Sequence, residues 1–419
     1  MTVETSEDLR RADPLPLAGV AAVRALGRWA LTLLVVAVAC EGTTRVDDWV
    51  RFRTPLTSPI AVEEDLLVRD GLGEHGRPGA RYQKWILNNV GMRGPDVRIP
   101  KPDHTLRVVT AGASETFGLY ESPGREYPRQ LEDSLRAAMT RDGCTGVRAE
   151  VVNAAIFGMS LPSVDQDLRT RVAPLRPDVV VLYPTPVQYL ADAVPRPAPL
   201  APGVDDVEPW YGVLRPRALA LAREQAKAML PSWLMTWLRR RDIADAIAGE
   251  PPGWRFTSVP ADRLAAYDRD LRHAIATVRA IGAVPIVMTH VNRFMAPGIR
   301  DSAELTTWGR FYPRATEQTV AAFDAAAVPV TVQAARESGA ATVSLADAVR
   351  RQPPGTGARL FGDYAHFSDA GSALVAGALV PAIVQTAPAR ALCATTRPAV
   401  AAAAAAAATS AAPTGAGRQ

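Results

Sequence analysis

The sequence predicts an α/β fold of three layers, with a mostly parallel, flavodoxin-like sheet between two layers of helices. Strand-like and helical segments alternate through the middle of the chain, the pattern of a parallel sheet with crossover helices. The segment Asp178-Val179-Val180-Val181-Leu182-Tyr183 is apolar nearly throughout, as in a strand covered on both faces. The intervening segments carry one apolar stripe each: Leu131, Leu135 and Met139 in one, Leu264, Tyr267, Leu271, Ile275 and Val278 in another.

The elements follow in order. Residues 1–28 are polar and mixed, read as a cytoplasmic N-terminal segment. Trp29 to Cys40 is a charge-free run of twelve residues, and 29–44 reads as a transmembrane anchor or signal segment. A full span takes about 20 apolar residues; Ala25 to Thr44 reaches that length if Arg28 and Glu41 snorkel to the interface. Three readings stand: an uncleaved single-pass anchor, a signal peptide cleaved after Ala37-Val38-Ala39, and lipidation at Cys40. All three place the rest of the chain outside the cytoplasm, at a bacterial cell membrane or secreted.

Residues 45–100 read as an irregular linker and N-terminal wrap. The domain itself spans 101–385. Its expected strands are 106–110, 150–153, 178–183, 284–289 and 341–345. Its expected helices are 128–139, 161–172, 263–281, 319–338 and 369–385. An insert at 191–262 is Pro-rich, then helical; Leu214 to Arg241, with Trp233 and Trp237, reads as a cap helix packing its tryptophans on the domain. A membrane-surface helix is the alternative. Residues 386–419, with the run Ala401 to Ala408, read as a disordered Ala-rich tail.

Composition excludes several classes. Among 419 residues, 47 basic against 43 acidic give a net charge of +4, no footprint for nucleic acid. Cys40, Cys144 and Cys393 give neither a disulfide framework nor zinc-ligand spacing, so the fold is expected to need no disulfide. No metal-ligand cluster or phosphate-cradling loop appears, and no cofactor is expected.

The chemistry concentrates at strand ends. The first domain strand runs into Ala111-Gly112-Ala113-Ser114-Glu115-Thr116-Phe117-Gly118. A serine just past a parallel strand lies where open α/β sheets bind ligands. Its hydroxyl needs a base to become nucleophilic; alone, such a serine is more often a helix N-cap. Among five histidines, His366 stands out, because Asp363 lies three residues before it, one helical turn away. That carboxylate suits the orienting role in a triad. His290, ending the 284–289 strand, reads as a capping or loop residue with substrate contact as the alternative. His75, His104 and His273 read as loop or helix-surface residues.

With these residues the chain resembles the SGNH (GDSL-like) hydrolase family. The serine block is matched by Gly112, Ser114, Thr116 and Gly118. Asn153-Ala154-Ala155-Ile156-Phe157-Gly158 resembles the block with the oxyanion-hole glycine, and Asp363 with His366 matches the block before the last helix. Asn88-Asn89-Val90-Gly91-Met92-Arg93-Gly94 and Lys101-Pro102 are similar to bacterial members with an N-terminal anchor. The resemblance spans about residues 80–190 and 262–385. It implies a serine esterase in which Ser114 attacks an ester carbonyl, His366 is general base then acid, and Asp363 orients it. The N–H groups of Ser114 and Gly158 would hold the oxyanion.

One block departs. The family's Gly-x-Asn-Asp segment after the third strand is here Tyr183-Pro184-Thr185-Pro186-Val187-Gln188-Tyr189. Its oxyanion asparagine is absent, leaving Gln188 or Thr185 as the substitute donor. The expected substrate is an acylated carbohydrate or lipid. The alternatives are an O-acyltransferase acting on a cell-surface polysaccharide and a non-catalytic glycan-binding or assembly protein.

Overall fold

A computed structural model of the chain describes residues 17–58, 60, 63–144, 146–197 and 216–395. Residues 198–215 of the insert, and the alanine run at 401–408, lie outside them.

Helix α1 runs from Leu17 to Phe52, well past the predicted anchor. Its stretch from Ala22 to Phe52 is long and apolar enough to cross a membrane, and its most apolar window is unburied. The extension through 45–52 corrects the irregular reading of that segment. The pairs Glu41–Arg45 and Asp47–Arg51, each four residues apart, support helix beyond the apolar run. Two small hairpins then replace the rest of the expected linker: β1 (Leu67–Asp70) with β2 (Gly73–Gly76), and β3 (Arg81–Tyr82) with β4 (Trp85–Ile86). Each turns on two residues, Gly71-Leu72 and Gln83-Lys84, and the Asp70 carboxylate accepts the Leu72 N–H at 2.7 Å across the first.

The domain begins with β5 (Thr105–Gly112), short helix α2 (Ser114–Phe117) and α3 (Tyr127–Arg141). β6 (Arg148–Asn153), α4 (Leu161–Asp167) and β7 (Val179–Tyr183) follow. The insert supplies α5 (Arg217–Ala228) and α6 (Ser232–Ile247). The chain then returns through α7 (Ala261–Ala280), β8 (Val284–Met288), α8 (Ser302–Gly309), α9 (Glu317–Glu337) and β9 (Ala341–Val343). It finishes with α10 (Leu345–Arg350), α11 (Asp369–Val384) and α12 (Ala387–Thr395).

The five domain strands form one parallel sheet in the order β6-β5-β7-β8-β9. β5 is buried along its whole length, and alternate residues feed two separate cores. Val109 and Ala111 pack with α4, α7 and α9 on one face; Leu106 and Val108 pack with α3, α10 and α11 on the other. That two-sided covering is why these strands read as apolar runs rather than alternating patterns. The strand order reverses between β5 and β7, which opens a crevice at their carboxyl ends.

At the opposite end, Arg107 is fully buried in β5. It donates to Glu150 at 2.6 Å, to the Leu175 carbonyl at 2.6 Å and to the Arg98 carbonyl at 2.8 Å. Arg107→Leu leaves Glu150 and two carbonyls without their cation. A loss of about 3 kcal/mol in unfolding free energy is expected, measured by urea denaturation.

Two expectations are corrected at the chain's far end. Cys144, after α3, is disulfide-bonded to Cys393 on α12, 249 residues away. Residues 387–395 are therefore helical and tied to the domain, not part of a disordered tail. No local spacing signals a bridge between cysteines so far apart; only the packing of α11 against α3 brings them together. Replacing both cysteines by serine is expected to cost about 2 kcal/mol, read from the shift in denaturation midpoint.

The cap-helix reading is corrected too. α6 packs on α8; its Ile243 is buried and its Leu234, Met235 and Leu238 are half-buried. Trp233 and Trp237, one turn apart, face outward and are 70% and 53% exposed. α5 docks on α1 instead: Arg217 pairs with Asp48 at 2.6 Å, and the Ala218 N–H donates to Glu41 at 2.9 Å.

Candidate active site

Ser114 sits at the carboxyl end of β5, at the reversal point of the sheet, as the first residue of α2. The turn from β5 into α2 needs glycine at 112. A Cβ there would lie 2.5 Å from Thr116 Oγ1 and 2.7 Å from the Tyr183 carbonyl. α2 is braced from three sides. Asn153 Nδ2 donates to the Thr116 carbonyl at 2.9 Å, and Tyr127 donates to Thr116 Oγ1 at 3.1 Å. The buried Arg93 donates to the carbonyls of Phe117 and Gly118.

The Ser114 side chain makes no N-cap bond. Its hydroxyl lies 2.8 Å from His366 Nε2. His366 Nδ1 lies 2.8 Å from Asp363 Oδ2. A carboxylate only accepts, so Nδ1 carries the proton and Nε2 is left to accept from the serine. The loop that presents this pair is tied by its own hydrogen bonds. Asp363 Oδ1 accepts the N–H groups of Ala365 and His366, both at 2.9 Å, and Gly362 N–H donates to the His366 carbonyl at 2.8 Å. Phe361 and Phe367 stack beneath the loop, and the rings of Tyr120 and Tyr364 flank His366 at 5.8 Å. Burial works against a charged His366, but the Asp363 bond and charge, with Glu115 and Glu121, hold its pKa above the usual value.

Gly158 follows β6 with φ +81°, a conformation that favours glycine, and a Cβ there would meet nothing within 4 Å. Among the described residues, neither the Ser114 nor the Gly158 N–H donates to a protein acceptor. Gln188 and Thr185, the candidate substitute donors, both meet protein acceptors. The Gln188 amide donates to the Met159 carbonyl at 2.9 Å, and the Thr185 hydroxyl donates to Glu115 Oε2 at 3.2 Å. The Thr185 hydroxyl proton and one of the two Gln188 amide protons are thus committed, and the backbone at Pro184 and Pro186 offers no N–H.

Beneath the serine lies a group that sequence reading misses. His290 lies in the loop just after β8, as expected, but it is 1% exposed. Its Nδ1 lies 2.7 Å from Asp324 Oδ1 and its Nε2 lies 3.4 Å from Glu115 Oε1. Burial opposes its charge, but the two carboxylates push its pKa up to about 10. Burial likewise raises Glu115, and the bond and charge of His290 overturn this, holding it at about 2. The one sequence cue is position: Glu115 adjoins Ser114, and His290 follows β8 at the same sheet edge. Asp324 carries no cue, since it lies in mid-helix. His75 is also buried, bonded to Asp70 at 3.0 Å, whereas His273 is on a helix surface as expected.

No family profile and no curated protein matches the sequence. Solved structures of similar fold include three hydrolases. LAE5, an alpha/beta hydrolase enzyme from the metagenome of Lake Arreo, Spain, is 15% identical; the match covers 66% of this chain and 94% of that one, with a TM-score of 0.39. Axe2, an acetylxylan esterase from Geobacillus stearothermophilus, is 15% identical over 66% of this chain and 93% of its own, with a TM-score of 0.36. The lipase/acylhydrolase from Enterococcus faecalis is 16% identical over 66% and 94%, with a TM-score of 0.36.

Proposed function

We propose that the protein is a serine esterase that cleaves an O-acyl ester of a carbohydrate or lipid, using Ser114, His366 and Asp363 as a triad. The observation that carries this reading is the continuous chain Ser114–His366–Asp363, with both links at 2.8 Å. His366 Nε2 takes the serine proton as Oγ attacks the carbonyl, then returns it to the leaving alcohol. Asp363 holds the tautomer and stabilises the imidazolium. The N–H groups of Ser114 and Gly158 receive the oxyanion.

The catalytic domain lies outside the cytoplasm, held by α1. The Cys144–Cys393 disulfide supports this, because such bonds persist in oxidising compartments. The test is covalent labelling of the full chain by a fluorophosphonate. Labelling that disappears in Ser114→Ala and in His366→Ala supports the triad; an ordered wild-type protein that takes no label overturns it. Hydrolysis and acyl transfer share an acyl-enzyme, so product analysis with an acceptor glycan separates them.

A further inference from the structure

The Ser114 hydroxyl has two side-chain neighbours, His366 and Glu115. Its Oγ lies 2.8 Å from His366 Nε2 and 3.5 Å from Glu115 Oε2. The shorter contact takes the hydroxyl proton, so Glu115 faces the serine oxygen as a charge rather than as its acceptor. Behind Glu115 come His290 and then Asp324, whose Oδ2 also accepts from Asn292 Nδ2 at 2.6 Å. All three ionisable groups are at least 96% buried.

We propose that Glu115, His290 and Asp324 form a second carboxylate–histidine–carboxylate array that positions Ser114 from beneath and sets the basicity of His366. The array rests on the triad reading, and its members are positioning residues. Two carboxylates against one imidazolium leave one net negative charge under the nucleophile. A buried charge of that sign favours the imidazolium that His366 becomes when it takes the serine proton. A buried ionic array is a poor source of stability compared with apolar packing, so its place beneath the nucleophile points to chemistry. Thr185 joins it by donating to Glu115, which ties the departed block into the array.

Asp363, Glu121, Tyr120 and Tyr364 surround His366. Tyr183 stacks on His290 at 5.3 Å, and Tyr312 lies near Glu115. Burial pushes the phenols of Tyr120, Tyr183, Tyr312 and Tyr364 up, so they stay neutral. The negative neighbours of His366 are therefore Asp363, Glu121 and Glu115, and only Glu115 belongs to the array.

The experiment measures fluorophosphonate labelling rates of the full chain from pH 5 to 9 in wild type, Glu115→Gln and Thr185→Val. Glu115→Gln keeps the volume and removes the charge. Its acid-limb midpoint is expected to fall by about 0.5–1 pH unit. Its plateau rate should fall about 3–10-fold, because the base is weaker. Thr185→Val removes a hydrogen bond but no charge, so its midpoint should stay with wild type. A Glu115→Gln profile with the wild-type midpoint means a structural role only and overturns the array. Wild type that takes no label overturns the triad reading instead. The array is then judged, as it is if Glu115→Gln does not fold, by ¹⁵N resonances of the wild-type imidazoles. His290 that stays doubly protonated from pH 5 to 9 supports it, and His290 that titrates within that range overturns it.

Discussion

Ser114→Ala is expected to lower ester turnover by about 10⁴–10⁶-fold and to abolish covalent labelling, with the fold intact. The size of the loss follows from the proposed mechanism. Removing the oxygen removes the acyl-enzyme route, and what remains is binding and the two backbone donors. Loss of stability does not account for the result. The serine side chain caps no helix, and the turn it occupies is held by Gly112, Arg93 and Asn153. Circular dichroism and thermal unfolding should match wild type within about 1 kcal/mol, the range of a small change at a partly exposed position. Ester turnover within tenfold of wild type in the folded variant would place the nucleophile elsewhere.

Asp363→Asn is expected to cost about 10⁴-fold in turnover, although it preserves shape. The geometry explains why so small a change does so much. Asp363 Oδ1 accepts two backbone N–H groups, those of Ala365 and His366. An asparagine must keep its carbonyl oxygen there to hold the loop. Its amide nitrogen then faces His366 Nδ1 and donates to it. The imidazole proton moves to Nε2, the atom that must accept from Ser114, so the base is blocked by the wrong tautomer. The check is twofold: single-turnover kinetics for the loss, and ¹⁵N shifts of His366 for the tautomer. A variant with the wild-type tautomer and a rate within tenfold of wild type would remove Asp363 from the mechanism.

Much of this site was legible in local sequence. Ser114 adjoins an apolar strand, and Asp363 and His366 are close enough in the chain to meet within one loop. The glycine proposed for the oxyanion hole follows the second domain strand. Each signal depends on residues that are near neighbours. The group beneath Ser114 was not legible in the same way. Glu115, His290 and Asp324 come from α2, the end of β8 and the middle of α9, and only the sheet and its covering helix place them in line. Gln188 and Thr185 were reasonable substitute donors by position. Their side chains turn to Met159 and Glu115, a choice made by neighbours distant in sequence.

By itself the sequence determined the parallel α/β architecture and the apolar N-terminal helix, because hydrophobic period and run length are local properties. It also marked the residues that carry the proposed chemistry. Only the tertiary structure decided how far α1 extends, which face of α6 is left exposed, that Cys144 meets Cys393, and that Ser114 rests between two histidine–carboxylate arrays. The physical reason is the same in each case. These outcomes depend on long-range packing, burial and charge pairing between segments up to 252 residues apart, and no local pattern encodes which partners such groups find.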